Sequence, residues 1–330
     1  MSSEAVLIGA KPYHNGSPVF IMGLPRSGTT WVAKALDSHP NTYYLHEPDI
    51  SFRPWSILPE WPQAPYDDAL LKAAGDYCAA LESVATPRTT GKGPLFAKSY
   101  LSSRDTLFRN IALAAGRAAP LPRPPESAAR NIQLVMKSVS NFSRLNLFAN
   151  ASPKTRHIVL IRHPLGQVDS MLRGVKDGRF YDTEIKFQWL LRSPHAAELG
   201  LDEEALVGSS LGEKLAWLWA INTHTVAQNM VENTKLVSHD RLCRSPSLIF
   251  SDIFPYANLD VHPQCVSFLQ KSATKSGSIA KSNGYFGVYR DSQKETDKWR
   301  RNFTAVEQRR LWDIVSRSAM VAMFPDFAKP

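Results

Sequence analysis

The stretch at residues 18–31 constrains the fold more than any other part of the sequence. Residues 19–22 form a short apolar run, Val-Phe-Ile-Met, which predicts a buried parallel strand. The run ends at Gly23, and an apolar pattern of helical period begins near Gly28. This glycine spacing is typical of loops that hold a phosphate between backbone N–H groups and the positive end of a helix dipole. The stretch therefore predicts an α/β fold with an anion site at this loop.

The residue after the second glycine decides which anion the loop suits. A nucleotide triphosphatase has a lysine there for the β- and γ-phosphates, whereas this chain has Thr29, followed by Thr30. The nearest cation is Arg26, inside the loop. These donors favour a terminal phosphate or phosphosulfate bound by protein groups. An ordinary strand–turn–helix with a chance pair of glycines is the alternative interpretation.

The loop at residues 25–31 reads Pro-Arg-Ser-Gly-Thr-Thr-Trp. It resembles the 5′-phosphosulfate loop of sulfotransferases that use 3′-phosphoadenosine 5′-phosphosulfate (PAPS). The resemblance implies that PAPS is the donor, that adenosine 3′,5′-bisphosphate is the product, and that Arg26 takes up the charge of the leaving group. The loop residues implied in donor binding are Arg26, Ser27, Gly28, Thr29, Thr30 and Trp31.

A second phosphate site is predicted after another apolar strand, residues 157–161. A nucleotide triphosphatase has an aspartate after such a strand to hold magnesium, whereas this strand is followed by Arg162, His163 and Pro164. Arg162 and Ser170, at the strand end and in the next predicted helix, can both donate to one phosphate. Their spacing resembles the 3′-phosphate site of PAPS enzymes.

The catalytic base is predicted at the end of the strand at residues 41–45, which is followed by His46, Glu47 and Pro48. Parallel α/β sheets bind ligands at the carboxyl ends of their strands, so these residues should lie near the loop. On position alone, a solvated glutamate is the simpler interpretation. The Glu-Pro pair resembles carbohydrate sulfotransferases, in which the glutamate is the base. The resemblance implies that role for Glu47, with His46 as the alternative.

The strand at residues 131–136 is followed by Lys137, Ser138 and Val139. Phenol- and steroid-type cytosolic sulfotransferases have Lys-x-His here, with the histidine as base. Val139 replaces that histidine, so the chain resembles the carbohydrate-type and bacterial enzymes more closely. Lys137 matches the lysine that faces the transferring group, although a surface lysine that closes a strand is the simpler interpretation.

The C-terminal part matches the family more weakly, because the Arg-Lys-Gly triplet of the cytosolic enzymes is absent. Lys281 and Arg290 are the basic residues predicted to contact the 3′-phosphate. Residues 281–303 are predicted to form a lid over the nucleotide.

Length and composition agree with one domain that extends over residues 1–330. The predicted architecture is α/β: a three-layer, P-loop-like parallel sheet flanked by helices, with helical and loop elaborations. Residues 95–97 are predicted as a short strand. The scattered cysteines indicate neither a disulfide framework nor a zinc site, and no apolar stretch is long enough to span a membrane. A cytoplasmic location is therefore expected.

The net charge of +9 favours an anionic small ligand over nucleic acid, because no nucleic-acid-binding module is present. The predicted reaction is sulfuryl transfer from PAPS, without a metal, to an acceptor hydroxyl with Glu47 as base. A carbohydrate or glycolipid acceptor is favoured. The alternatives are a small apolar alcohol or natural product with His46 as base, a non-catalytic nucleotide-binding scaffold, and a P-loop kinase or NTPase. The sequence leaves the oligomeric state open.

Overall fold

The computed structural model describes residues 16–50, 52, 57–115, 121–178, 187–273, 296–327 and 329. Lys281 and Arg290, the predicted C-terminal phosphate contacts, lie outside the described residues, and so does most of the predicted lid at residues 281–303.

Parallel strands form one five-stranded sheet in the order β2-β3-β1-β4-β5. The strands are β1 Val19–Gly23, β2 Thr42–His46, β3 Gln133–Ser138, β4 Arg156–Ile161 and β5 Thr234–Ser238. Because β1 is central, the loop that follows it has a strand end on either side. The register pairs Gly23 with Leu160 and His46 with Lys137. The predicted parallel α/β fold is confirmed.

Helices connect these strands and cover the sheet. The α-helices of the described residues are α1 Thr29–Asp37, α2 Asp68–Glu82, α3 Pro87–Thr90, α4 Ser103–Ala114, α5 Glu126–Ala129, α6 Leu145–Ala151, α7 Pro164–Lys176, α8 Glu203–Gly208, α9 Leu211–Gln228, α10 His239–Arg244, α11 Pro246–Tyr256, α12 Pro263–Ala273, α13 Trp299–Asn302 and α14 Ala305–Val315. Single turns of 3-10 helix lie at Pro48–Ile50, Phe142–Arg144, Gln188–Arg192 and Ala319–Met323.

Successive residues of β1 are buried on opposite faces of the sheet, as the two-residue period of a strand requires. Phe20 and Met22 belong to one apolar cluster, with residues of α2, α6, α7, α9 and α14. Val19 and Ile21 belong to the other, with residues of α1, α10, α11 and α12. Helices thus pack on both faces of a sheet whose central strand is wholly buried, which confirms the three-layer prediction.

Polar residues begin several helices at the positions that the sequence indicates. The Asp67 carboxylate accepts from the Leu70 N–H at 2.7 Å, Ser210 and Thr304 form capping boxes, and Pro164 is in the first turn of α7. Within the described residues, no helix has both the length and the apolar character needed to cross a bilayer.

The strand predicted at residues 95–97 is wrong, since this segment has no regular structure. The Lys98 ammonium is buried and donates to Asp37 Oδ1 and to Thr42 Oγ1, both at 2.8 Å. The Ser99 N–H donates to the Pro40 carbonyl at 3.1 Å. These bonds attach the segment to the amino end of β2, so it does not pair alongside that strand.

Candidate active site

The loop between β1 and α1 is shaped by two glycines. Gly28 has φ 92°, a left-handed conformation that disfavours side chains, and a Cβ there would lie 2.5 Å from His239 Cδ2. At Gly23 a Cβ would collide with Ser27 Oγ and would lie 2.8 Å from the Leu160 carbonyl oxygen. Arg26, inside the loop, also has a positive φ of 73°. The predicted glycine spacing thus corresponds to a close approach of the loop to β4 and α10.

The same loop leaves donors for an anion. Gly28 is the N-cap of α1 and supplies no side-chain cap, so the N–H groups of Thr29 and Thr30 have no partner within the described residues. The Ser27 hydroxyl is buried and has no hydrogen-bond partner within the described residues. The hydroxyls of Thr29 and Thr30 make no hydrogen bond within that part of the chain either. These donors fit the phosphate of a nucleotide donor.

Trp31 differs from the other loop residues that were predicted to bind the donor. Its indole N–H donates to Ser272 Oγ at 2.9 Å, and its backbone N–H donates to the Gly28 carbonyl at 3.0 Å. The ring packs edge-on against Phe250 at 5.8 Å in the apolar cluster of that face. Both N–H groups of Trp31 are therefore used within the protein, and its side chain belongs to the core.

Residues of the second predicted phosphate segment contact the loop directly. The Arg26 guanidinium Nε donates to Ser170 Oγ at 3.3 Å. Arg162 Nη1 donates to the Arg26 carbonyl oxygen at 3.0 Å, and Gln167 Nε2 donates to the Pro25 carbonyl oxygen at 2.8 Å. Arg162 and Ser170 are both buried. The structure therefore brings Arg26, Arg162 and Ser170 together and adds Gln167 as a brace between α7 and the loop.

The end of β5 adds a charged pair beside this cluster. The Asp240 carboxylate accepts from the His163 N–H at 2.8 Å. Burial would raise the pKa of Asp240, but the positive charges of His239, 3.9 Å away, and of Arg162, together with the His163 N–H, hold it at about 2. Burial would likewise lower the pKa of His239, yet the adjacent Cys243 and Asp240 raise it to about 9. Since His239 packs against Gly28, a protonated imidazole adds positive charge next to the loop.

Glu47 and Lys137 lie together at the carboxyl ends of β2 and β3. The Glu47 N–H donates to the Lys137 carbonyl at 2.8 Å and so extends the pairing of β2 with β3 by one residue. Lys137 Nζ forms an ion pair with Glu47 Oε1. Burial lowers the pKa of Lys137, although the Glu47 charge opposes the shift. Glu47 has φ 49°, a strained conformation for a residue with a side chain, and such strain is concentrated at functional sites.

His46 lies next to this pair, with its Nε2 at 3.9 Å from Glu47 Oε1. Its Nδ1 is 2.6 Å from the Tyr44 hydroxyl. Burial, reinforced by the charges of Lys137, Lys92 and Lys34, holds the pKa of His46 well below its usual range. Burial also raises the pKa of Tyr44 well above its usual value, so the phenol stays protonated. His46 is therefore a neutral ring whose Nδ1 is hydrogen-bonded to Tyr44.

Asp49 is a buried carboxyl that the sequence did not single out. Its Oδ2 accepts from Ser138 Oγ at 2.7 Å and from Asn141 Nδ2 at 3.0 Å, whereas Oδ1 has no partner within the described residues. Burial is the main cause that raises the pKa of Asp49 to about 6, and the Glu47 charge adds to it. Asp49 is therefore a titratable group directly behind the Glu47–Lys137 pair.

One group of potential metal ligands occurs among the described residues, formed by His195, Glu198 and His224. Glu198 contacts His195 Nδ1 at 2.9 Å and His224 Nε2 at 3.3 Å. The Ala319 N–H donates to His224 Nδ1 at 3.1 Å, which places the ring proton on Nε2. His224 thus donates to Glu198, and the three side chains form a hydrogen-bonded contact between α9 and residues 195–198.

Residues 18–189, which contain most of this site, match a known protein family. The profile of the Sulfotransferase family matches residues 18–189, more than half of the chain. The chain belongs to the sulfotransferase family. The matched range contains the loop of β1, the Glu47–Lys137 pair, Arg162 and Ser170, so both ends of the site lie within the family region. No curated protein sequence matches this sulfotransferase.

Solved structures similar to this sulfotransferase include other proteins of that activity. The sulfotransferase domain from the Synechococcus PCC 7002 olefin synthase is 17% identical, and the alignment covers 95% of this chain and 98% of that domain with a TM-score of 0.47. Mouse sulfotransferase SULT7A1, solved in complex with PAP, is 14% identical, with coverage of 99% and 95% and a TM-score of 0.42.

The importance of three residues depends on tertiary contacts that the sequence pattern does not reveal. Gln167 lies inside the predicted 3′-phosphate segment, but its hydrogen bond to the Pro25 carbonyl is not evident from the motif. Asp240 follows the end of β5, and its bond to the His163 N–H joins residues that are 77 positions apart. Asp49 follows Glu47 by two residues, and its burial is not evident from the local pattern.

Proposed function

We propose that this sulfotransferase moves the sulfuryl group of PAPS to an acceptor hydroxyl, with a carbohydrate or glycolipid favoured. One observation carries the proposal: a single sheet edge presents an open anion loop, an Arg26–Arg162–Ser170 cluster and the Glu47–Lys137 ion pair. We take residues 1–330 as one catalytic domain. The roles of Lys281 and Arg290 at the 3′-phosphate stay predictions.

The donor residues divide between two phosphates. The N–H groups of Thr29 and Thr30, with the hydroxyls of Ser27, Thr29 and Thr30, would hold the 5′-phosphate, because these donors have no partner within the described residues. Arg162 and Ser170 would hold the 3′-phosphate through charge-assisted and hydroxyl hydrogen bonds. Trp31 is dropped from the donor contacts, since both of its N–H groups are already used.

PAPS supplies an activated sulfuryl group, whose bond to the bridging oxygen of the 5′-phosphate breaks as the acceptor oxygen bonds to sulfur. The electron pair of the broken bond stays on that phosphate oxygen, where Arg26 would stabilise the added charge, with Lys137 assisting. The acceptor proton would pass to the Glu47 carboxylate. The protein otherwise positions the reacting groups, a contribution that lowers the barrier without a covalent intermediate.

The hydrogen bonds of the two candidate bases favour Glu47. His46 Nδ1 is occupied by the Tyr44 hydroxyl at 2.6 Å, and burial holds the pKa of His46 well below its usual range, so its ring is a weak base. Glu47 uses Oε1 for Lys137, and its Oε2 makes no hydrogen bond within the described residues. Oε2 is therefore the atom that we propose accepts the proton.

The remaining alternatives have less support. A P-loop kinase or NTPase needs a lysine in the loop, where this chain has Thr29. It also needs a magnesium-binding aspartate after a strand that neighbours β1, where this chain has Arg162 after β4. A tryptophan in the loop that follows Glu47 would be suited to line a pocket for an apolar acceptor. Trp61 is instead 8% exposed and stacks on Trp189 at 4.8 Å, so it serves the core.

Calorimetric titration tests the donor assignment. Adenosine 3′,5′-bisphosphate should bind, whereas AMP and Mg-ATP should bind at least tenfold more weakly, because they lack the 3′-phosphate. Arg162→Ala should remove this preference. A matched control is Arg156→Ala, which changes an arginine at the opposite end of the same strand, β4. Preference for Mg-ATP, or a bisphosphate affinity that does not depend on Arg162, would overturn the proposal.

A further inference from the structure

The segment at residues 88–94 is bonded to α1 and lies beside the edge strand β2. The Lys34 ammonium donates to the Lys92 carbonyl and, at 3.2 Å, to the Pro94 carbonyl. The same ammonium lies 4.7 Å from the centre of the Tyr44 ring, and the Tyr44 hydroxyl bonds to His46. The backbone of this segment is therefore held beside the strand that carries the proposed catalytic base.

This segment carries two positive charges, for which the described residues supply no ion-pair partner. Arg88 and Lys92 are both exposed, and neither has an ion pair within the described residues. The acidic groups nearby are already neutralised. Asp37 is paired with Lys34 at 2.7 Å and with Lys98 at 2.8 Å, and Glu47 is paired with Lys137.

The two cations act on the site electrostatically. Burial is the main cause that lowers the pKa values of His46 and Lys137, which both contact Glu47. The charge of Lys92 lowers both further. Arg88 contributes to that of His46. Both charges therefore lie close enough to the end of β2 to act on a ligand bound there.

The donor phosphates do not account for this charge. The donor segments follow β1 and β4, and β3 separates β1 from β2. With a spacing of about 4.8 Å between neighbouring strands, the anion loop starts about 10 Å from β2, and Arg162 about 14 Å. Arg88 and Lys92 belong to the segment held beside β2, and Glu47 directly follows that strand.

We propose that the acceptor carries an anionic group, a carboxylate or a phosphate or sulfate ester, which Arg88 and Lys92 bind while its hydroxyl faces Glu47. This inference rests on the proposed function, since it concerns the second substrate of the same site. The two cations select the acceptor by charge, and Glu47 acts on whichever hydroxyl is thereby positioned.

The test compares acceptors that differ in one charge, p-nitrophenyl β-glucuronide and p-nitrophenyl β-glucoside. Wild type should use the glucuronide with about tenfold or higher kcat/KM, the effect of a charged hydrogen bond. Arg88→Gln/Lys92→Gln should reduce this ratio to about one, mainly through KM. Added salt should weaken the wild-type preference, because both cations are exposed.

The control variant is Arg130→Gln/Lys154→Gln. It removes the same net charge from exposed residues that precede β3 and β4, at the amino edge of the sheet. It should keep the preference for the glucuronide. Three outcomes would overturn the inference. Wild type could show equal kcat/KM for the two acceptors, or Arg88→Gln/Lys92→Gln could leave the ratio unchanged. The third outcome is reaction with neither acceptor while the bisphosphate still binds. If wild type does not bind the bisphosphate at all, the proposed function is overturned instead.

Discussion

The two ends of the site are built in different ways. The proposed donor side, at residues 23–30 and 162–170, is built around a loop. Arg162 and Gln167 donate to carbonyl oxygens of that loop. The acceptor side, at the ends of β2 and β3, depends on one ion pair between residues that are 90 positions apart. The donor side is thus specified by short contiguous segments, and the acceptor side by strand register. Substitutions should therefore affect the two sides separately.

The largest expected effect lies on the acceptor side. Glu47→Gln should lower kcat by about 10²–10⁴-fold, because it removes the proposed proton acceptor. Bisphosphate affinity should stay within about twofold of wild type, since Glu47 lies outside the donor side. Turnover with saturating PAPS and calorimetry on the same preparation give both quantities. Near-normal turnover would contradict the role of Glu47, and a parallel loss of donor affinity would contradict the separation of the two sides.

Gly28→Ala should act on the donor side alone. The left-handed φ and the collision with His239 together are expected to weaken bisphosphate binding by about 10–100-fold. Gly178→Ala is the matched control, because Gly178 has φ 64° and open space around it. Equal losses for the two variants, measured by calorimetry, would show that backbone strain and not the contact with His239 is responsible.

Asp49→Asn tests the raised pKa of the Asp49 carboxyl, which lies close to the Glu47–Lys137 pair. The pKa of this carboxyl is about 6 in the folded protein, against an ordinary value of 3.8. The folded state therefore binds the proton more tightly, so this group makes the free energy of unfolding fall as the pH rises, by about 2 kcal/mol between pH 4 and pH 6. Urea unfolding at both values should show a flatter dependence in Asp49→Asn. The same slope in both proteins would exclude the assignment.

The smallest effect is expected from the brace of the loop. Gln167→Leu removes the hydrogen bond to the Pro25 carbonyl and should weaken bisphosphate binding by about 2–10-fold, with kcat unchanged at saturating donor. Gln264→Leu is the control. It removes side-chain bonds to the Ser38 and Ala97 carbonyls, outside the loop and its brace. A larger effect on kcat than on donor affinity would mean that the brace also positions the acceptor side.

The sequence predicted the donor side better because its geometry is local. Glycine spacing and the order of strand, arginine and proline are enough to place Gly28 and Arg162, whatever the rest of the chain does. The parallel sheet follows from the apolar runs for the same reason. The pairing of Glu47 with Lys137 follows from the register of β2 and β3, and pattern alone identifies each residue only as a strand-end polar group.

Other parts depend on which way a side chain turns. Trp31 belongs to the loop motif, yet α1 directs its ring into the core, where Ser272 satisfies it. Residues 95–97 have the composition of a strand, but buried Lys98 fixes them across the end of β2. Such outcomes depend on long-range hydrogen bonds to buried groups, which no local pattern encodes.

The position of Glu47 in the ladder of β2 and β3 has a consequence for how acceptor specificity can change. Its N–H is fixed by the Lys137 carbonyl, so the proposed base belongs to the rigid sheet, and the chain turns away only afterwards, at Pro48–Ile50. Insertions or exchanges in the connection from there to α2 can reshape the surface that meets the acceptor without displacing the base. The fold thereby allows new acceptors to be acquired while the chemistry is inherited unchanged.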